Sequence, residues 1–141
     1  MSDIQLYLVE ADKNKDEARR LAARSADALA NGDLKLVQLI ENAGEYINHE
    51  DPSMRIKSLS YLADVLEQVA PKVLKGQQRN LLCGFILTRV ADDTEGTGHC
   101  ARALMALEKL GKWDSETAAN IANTCVILNQ IRQSSTRLIL V

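Results

Sequence analysis

The segment Asp51-Pro52-Ser53-Met54-Arg55, set between two apolar helical runs, is the strongest indicator of how this chain folds. The Asp51 carboxylate can accept a hydrogen bond from the backbone at the start of a helix, and Pro52 suits the first helical position, where a missing N–H costs nothing. We therefore predict a long helix over residues 53–70, with Pro71 preventing its continuation. Its predicted apolar stripe is Ile56, Leu59, Leu62, Ala63, Leu66 and Val69.

The same turn is echoed further along the chain. Thr136-Arg137 repeats Met54-Arg55 at a distance of 82 residues, and a looser copy, Asp92-Asp93-Thr94-Glu95-Gly96-Thr97, lies between them. Half of that distance, about 41 residues, is within the range of two-helix HEAT-type repeats. We predict an all-α, HEAT-like α-solenoid of stacked antiparallel helix pairs, with about seven to eight helices.

Apolar residues at three- and four-residue spacing predict further helices on both sides of this turn. The predicted starts are Ser2 or Asp3, Asp33, Gly76, Thr97 or Gly98, and Asp114, and the predicted ends are Asn31-Gly32 and Gly111. The predicted apolar stripes are Ile4, Tyr7 and Leu8; Ala18, Leu21, Ala22, Ser25, Ala28 and Leu29; Leu36, Val37, Ile40, Ala43, Gly44 and Ile47; Leu81, Leu82, Phe85, Ile86 and Val90; Cys100, Ala103, Leu104, Leu107 and Leu110; and Ala118, Ile121, Ala122, Cys125 and Leu128.

The two ends of the chain differ from its middle. Residues 1–33 are predicted to form an N-terminal helical arm or cap, and residues 34–141 to form the HEAT-like repeats. A last helix starting at Ser134 or Ser135 has no room to finish, and Leu138-Ile139-Leu140-Val141 lacks the polar outer face of a terminal repeat. We expect the last repeat to be incomplete and the chain to be part of a longer array.

The composition disfavours several classes of function. The net charge is −2, so we expect no direct nucleic-acid binding, which normally needs a basic stripe. The sequence has no signal segment and no apolar run of about 18 residues, which argues against secretion and a membrane span. Three widely spaced cysteines fit reduced thiols in an intracellular compartment.

The cysteines and histidines, which are common ligands and catalytic groups, have simpler structural interpretations in this sequence. Cys83, Cys100 and Cys125 are separated by 17 and 25 residues, without the close spacing of cluster ligands, and are predicted to pack in the core. His49 and His99 lie near predicted turns and have no convergent partner, so they are interpreted as surface residues. We predict no catalytic, cofactor or metal site.

Two rows of residues form a candidate partner-binding surface. On the helix over residues 53–70 a row lies opposite the apolar stripe, and the helix after Thr97 has a similar row. The members are Lys57, Tyr61, Asp64 and Gln68, then Arg102, Met105 and Lys109. The second helices of successive solenoid repeats stand side by side, so the rows can form one patch. Both a solvated face and a binding groove are compatible with the pattern.

Several segments over residues 30–141 occur in an order that is more specific than any one of them. They are Leu34-Lys35-Leu36-Val37-Gln38-Leu39-Ile40-Glu41-Asn42-Ala43-Gly44, Glu50-Asp51-Pro52-Ser53-Met54-Arg55, Leu59-Ser60-Tyr61-Leu62-Ala63-Asp64-Val65-Leu66, Ile86-Leu87-Thr88-Arg89-Val90-Ala91-Asp92-Asp93, Ala103-Leu104-Met105-Ala106-Leu107 and Gln133-Ser134-Ser135-Thr136-Arg137. This succession resembles the N-terminus of the MMS-nineteen family, long HEAT-repeat adaptors of the cytosolic iron–sulfur protein assembly targeting complex that are also linked to nucleotide excision repair and transcription.

The resemblance implies a non-catalytic adaptor in the cytoplasm and nucleus that needs no cofactor of its own. Its implied partners are the other targeting subunits and client iron–sulfur apoproteins, such as repair helicases and polymerases. Two alternatives remain open. One is a generic HEAT or armadillo-type scaffold, as in phosphatases or transport receptors, and the other is a small helical enzyme, which needs a polar cluster inside a pocket.

Overall fold

The computed structural model describes residues 2–92 and 96–124, with residues 90–92 described by their backbone alone. The helices are α1 (Asp3–Glu10), α2 (Lys15–Asn31), α3 (Leu36–Ile47), α4 (Pro52–Gln68), α5 (Gly76–Asp92) and α6 (Thr97–Leu110). A further helix, α7, is described over residues 115–124, and no strand occurs in the described ranges. The predicted eighth helix and the apolar C-terminal segment lie outside those ranges.

The helices form stacked pairs. α1 packs on α2, α3 on α4, and α5 on α6, while successive pairs meet through α2 against α4 and α4 against α6. Three helices therefore stand side by side in a central row, each backed by the helix that precedes it. This is the all-α, HEAT-like arrangement that the repeat spacing predicted, and the fold class is confirmed. The proposed boundary at residue 33 stays a prediction.

The turn before α4 has the predicted chemistry. Asp51 Oδ1 accepts a hydrogen bond of 2.9 Å from the Ser53 backbone N–H, and Pro52 is the first helical residue. The Arg55 guanidinium donates to the carbonyls of His49 and Glu50 at 2.9 and 3.0 Å, which ties α4 to the segment after α3. The predicted cap of α4 is confirmed.

Of three other predicted helix ends, two are confirmed and one is wrong. Gly32 ends α2 with a φ of 82°, a left-handed conformation that glycine adopts without strain. Asp114 Oδ1 accepts from the Thr117 N–H at 2.7 Å, as expected of the cap of α7. The predicted cap of α3 at Asp33 is wrong, because the helix begins after Lys35, whose N–H donates to the side chain of Gln38 at 2.9 Å.

The core confirms most of the predicted stripes but not all. Leu62, Leu82, Ile86 and Leu107 of the predicted stripes are almost fully inaccessible to solvent. Val37 and Leu81, predicted to face inward, are 58% and 55% exposed. Both lie on the outer helices α3 and α5, where Leu39 and Cys83, which the predicted stripes did not include, are buried.

The cysteines within the described residues pack in this core. Cys83 and Cys100 are 0% and 1% exposed, so their predicted structural role is confirmed. Burial raises the pKa of the Cys83 thiol to about 11. Cys125 lies outside the described residues.

Gly111, at the end of α6, leaves space for a neighbouring cation. A Cβ at this position would lie 2.5 Å from Nη2 of Arg79, which is too close for a side chain. The same guanidinium donates to the Leu74 carbonyl at 3.0 Å. A side chain at this position would require the Arg79 guanidinium to move. The predicted end of α6 is confirmed.

Candidate protein-binding surface

The two predicted rows lie on neighbouring helices, because α4 packs against α6. The exposure predicted for Tyr61 and Asp64 is wrong, since these residues are only 2% and 6% exposed. The face of α4 that carries them is covered by α1 and α2. The Tyr7 ring of α1 packs edge-on against the Tyr61 ring, with 5.2 Å between the ring centroids. The Ser25 hydroxyl oxygen of α2 lies 2.6 Å from the Tyr61 hydroxyl oxygen. Burial raises the pKa of Tyr61 to about 12.

The ends of the α4 row are also engaged within the protein. The Lys57 ammonium lies 2.7 Å from a carboxylate oxygen of Asp12, in the loop between α1 and α2. The Gln68 amide donates to the backbone carbonyls of Arg19 and Asp64 at 3.2 and 2.9 Å. The side chains of the α4 row therefore hold α4 to α1, α2 and the loop between them. The candidate binding surface is thus reduced to the residues on α6.

A buried polar network joins α1, α4 and α6. The Tyr7 hydroxyl donates to Asp64 Oδ2 at 2.6 Å and lies 2.8 Å from the Ser60 hydroxyl. Tyr7 has one hydroxyl proton, so Ser60 donates to the Tyr7 oxygen. Burial, together with the hydrogen bond to Asp64, raises the pKa of Tyr7 well above its usual value. Tyr7 is therefore a permanent donor to a buried carboxylate.

Arg102 completes this network from α6. Its guanidinium forms ion pairs with both Asp64 and Glu67, and its Nε donates to Glu67 at 2.9 Å. Its Nη1 lies 3.0 Å from Nδ1 of His99. Burial, assisted by the nearby Arg102 charge, lowers the pKa of His99. A neutral His99 can accept the Arg102 hydrogen bond, so Arg102 is fixed on both sides.

Both histidines were predicted to lie at the surface, but only one of them is exposed. His49 is exposed, and its Nδ1 accepts from the Asp51 N–H at 3.0 Å. His99 belongs to the first turn of α6 and is half-buried, so its assignment to a surface turn is wrong. The reason is that α4 and α1 approach this end of α6 through the Tyr7, Asp64 and Arg102 network.

The remaining members of the α6 row line an open groove, which we call the α4–α6 groove. Its volume is about 330 Å³. It is lined by Leu66, Glu67, Val69, Pro71, Arg102, Met105, Ala106, Lys109 and Leu110. Met105 is 59% exposed. The groove therefore combines an apolar floor with charged groups at its edge.

A second cavity, of about 260 Å³, lies on the other side of Arg102, and we call it the basic hollow. It is lined by Tyr7, Ala11, Lys15, Ala18, Arg19, Ser60, Asp64, His99 and Arg102. Sequence reasoning missed this cavity because its walls come from α1, α2, α4 and α6. The only sequence signal was the pair of cations Lys15 and Arg19, four residues apart.

Two other kinds of site, a metal centre and a membrane span, are absent from the residues that the structure describes. No group of three or more His, Cys, Asp or Glu side chains in the described ranges is arranged to hold a metal ion. None of the helices that the structure describes is both long enough and apolar enough to cross a membrane.

Comparison with known proteins gives a family match. Residues 40–138 match the MMS19 N-terminal family, described as Dos2-interacting transcription regulator of RNA-Pol-II. Over 90 residues, the chain is 27% identical to a Schizosaccharomyces pombe protein named DNA repair/transcription protein mms19. The aligned part is 64% of this chain and 9% of that relative, so the chain spans a small part of its relative's length. No solved structure matches the chain.

Proposed function

This chain belongs to the MMS19 N-terminal family, and from that premise we propose that it is the N-terminal, non-catalytic adaptor part of a protein of DNA repair and transcription. The more specific role is in the cytosolic iron–sulfur protein assembly targeting complex, in the cytoplasm and nucleus. There the protein helps to deliver clusters to apoproteins such as repair helicases and polymerases. Support for this role comes from the ordered sequence segments that resemble the family of iron–sulfur adaptors.

The observation that carries a binding role is the α4–α6 groove. Protein interfaces combine an apolar centre with a polar rim, and this groove has an exposed Met105 beside an apolar floor. Its charged edge is held in place, because Arg102 is ion-paired with Asp64 and Glu67 before any partner arrives. A side chain that is already ordered loses little conformational entropy on binding.

The groove also fits the architecture. Solenoids bind partners through extended surfaces made by side-by-side helices of successive repeats, and α4 and α6 are such helices. Of the predicted surface residues, Arg102, Met105 and Lys109 remain the candidates for direct contact. Asp64 supports this surface through its ion pair with Arg102, whereas Lys57, Tyr61 and Gln68 contact α1, α2 and the loop between them.

The proposal is tested in cells that lack the endogenous protein. They are complemented with the full-length protein, either wild type or Met105→Glu. Radioactive iron incorporated into an immunoprecipitated repair helicase is then measured, together with co-purification of the targeting subunits. We expect the wild type to restore both signals and Met105→Glu to reduce both at equal protein abundance, because a charge in an apolar contact is costly.

Val37→Glu is the matched control, since Val37 is 58% exposed on α3, outside the groove. It should behave as the wild type. Iron incorporation that is unaffected by loss of the protein would reject the iron–sulfur role. Co-purification of a phosphatase catalytic subunit or of transport cargo in place of targeting subunits would favour the generic scaffold.

A further inference from the structure

The cations around the basic hollow fall into two groups. Most cations of this region are neutralised by carboxylates of the protein: the pairs are Arg20 with Glu17, Arg24 with Asp3, Lys57 with Asp12, and Arg102 with Asp64 and Glu67. Lys15 and Arg19 form no ion pair within the described residues, and both are exposed. They follow each other by one helical turn on α2 and line the same wall of the hollow.

The one carboxylate inside the hollow is already satisfied. Asp64 accepts from Tyr7 through one oxygen and is ion-paired with Arg102 through the other. It therefore does not neutralise Lys15 or Arg19. The cavity consequently offers two exposed positive charges to an incoming anion.

We propose that the basic hollow binds an acidic segment of the partner protein that occupies the α4–α6 groove, with Asp or Glu side chains of that segment pairing with Lys15 and Arg19. The two cavities share Arg102 as a common wall, so a partner in the groove lies beside the hollow. This inference rests on the proposed adaptor function for the existence of a protein partner. What the inference adds to that function is that the partner segment entering the hollow is negatively charged.

The chemistry of the hollow favours carboxylates over the alternatives. Two unpaired cations match one or two carboxylates. Asp64 in the wall, although ion-paired with Arg102, faces any incoming anion and disfavours a doubly charged phosphate more than a singly charged carboxylate. A nucleic acid is disfavoured because phosphate backbones are bound by long basic stripes and the whole chain has a net charge of −2. Complementary charges at an exposed site act mainly on the association rate and on partner choice, and their effect falls as salt rises.

The test uses the full chain and a fluorescein-labelled hexaglutamate peptide as the probe, with binding followed by fluorescence anisotropy at several salt concentrations. Lys15→Glu/Arg19→Glu is compared with Lys72→Glu/Lys112→Glu, a control with the same change of net charge at exposed lysines outside the hollow. Circular dichroism establishes that each variant is folded. All four sites are exposed, so each fold should survive.

We expect salt-sensitive binding by the wild type, a loss of about tenfold or more in the hollow variant, and a change within about twofold in the control. Equal losses in both variants, or no binding at low salt, would overturn the proposal. Tighter binding of a hexaphosphoserine peptide that depends on the same two cations would overturn the choice of carboxylates and assign the hollow to phosphopeptides.

The outcome is separable from that of the proposed function. The peptide assay depends on Lys15 and Arg19 and involves neither Met105 nor iron delivery. If the peptide does not bind while iron incorporation still depends on Met105, the inference fails and the adaptor function stands. If the peptide binds while iron incorporation is independent of the protein, the adaptor function fails in its specific form, and the acidic segment belongs to a different partner.

Discussion

Replacing Tyr7 with phenylalanine removes the hydroxyl that links Asp64 and Ser60 in the network that joins α1, α4 and α6. The ring packs against Tyr61 and is kept, so the substitution removes only the hydroxyl. That hydroxyl donates to Asp64 at 2.6 Å, and Asp64 is 6% exposed. A hydrogen bond to a charged group contributes about 1.5–3 kcal/mol, because a buried carboxylate that loses its donor is not rehydrated. Asp64 keeps its ion pair with Arg102, so we expect Tyr7→Phe to lower the free energy of unfolding by about 1.5–3 kcal/mol.

The loss is measured by urea denaturation near neutral pH, followed by far-ultraviolet circular dichroism. Tyr46→Phe is the control, because Tyr46 is half-buried on α3 and its hydroxyl has no hydrogen bond in the described part of the chain. Its effect should stay within about 0.5 kcal/mol. In an Asp64→Asn background, Tyr7→Phe should cost at least about 1 kcal/mol less than in the wild type, since the charged acceptor is gone. A Tyr7→Phe effect no larger than that of Tyr46→Phe, or one that is unchanged in the Asp64→Asn background, would refute the reasoning.

Three further predictions follow from single contacts. Asp51→Ala removes the hydrogen bond to the N–H of the second helical residue and should lower the free energy of unfolding by about 1 kcal/mol, and an unchanged urea midpoint would contradict the cap. The thiols of Cys83 and Cys100 should react with a disulfide reagent only as fast as the protein unfolds, because both are buried and the pKa of Cys83 is raised to about 11; rapid reaction in the native state would disprove their burial. The pKa of His99 is lowered in the folded protein, so as pH falls the imidazole is protonated in the unfolded chain before it is protonated in the folded one. The contribution of His99 to the free energy of unfolding should therefore be constant above pH 6.5, the usual pKa of histidine, and should fall as pH drops below it. A His99→Gln variant should lack this fall, and a slope equal to that of the wild type would argue against a buried neutral imidazole.

Helix starts were predictable where one side chain decides them. Asp51 and Asp114 cap the helices that they were predicted to cap, because a carboxylate beside the first N–H groups satisfies donors that no other local group reaches. Asp33 was a plausible cap by the same rule, yet α3 begins three residues later. There the Gln38 side chain satisfies the Lys35 N–H, and Leu36 enters the core. The choice between neighbouring starts depends on packing, which a local pattern does not contain.

How much of the surface of a helix is buried was predictable only in part, because a local pattern does not show how many helices pack around it. The pattern of α4 suggested one apolar stripe and an opposite polar row, but α4 touches α1, α2, α3 and α6. Tyr61 and Asp64 are buried because their polar atoms find partners in Ser25 and Tyr7. Those partners are 36 and 57 residues away in the sequence, beyond the reach of any helical periodicity. The α6 row faced solvent as predicted because the groove leaves that side of α6 uncovered.

The position of Arg102 between the two cavities decides how they can act. A ligand that drew Arg102 away would leave Asp64 buried without its cation. Breaking a fully buried ion pair costs about 3–5 kcal/mol, and the loss here lies at or below the lower end of that range because the Arg102 side chain is 36% exposed. That cost exceeds what an exposed carboxylate gains from one cation, about 1 kcal/mol or less. Arg102 therefore acts as a fixed wall for both cavities, and substitutions at Arg102 should change stability before they change binding. Recognition then falls to exposed side chains that no partner within the described residues holds, which include Met105 and Lys109 in the groove and the Lys15 and Arg19 pair in the hollow.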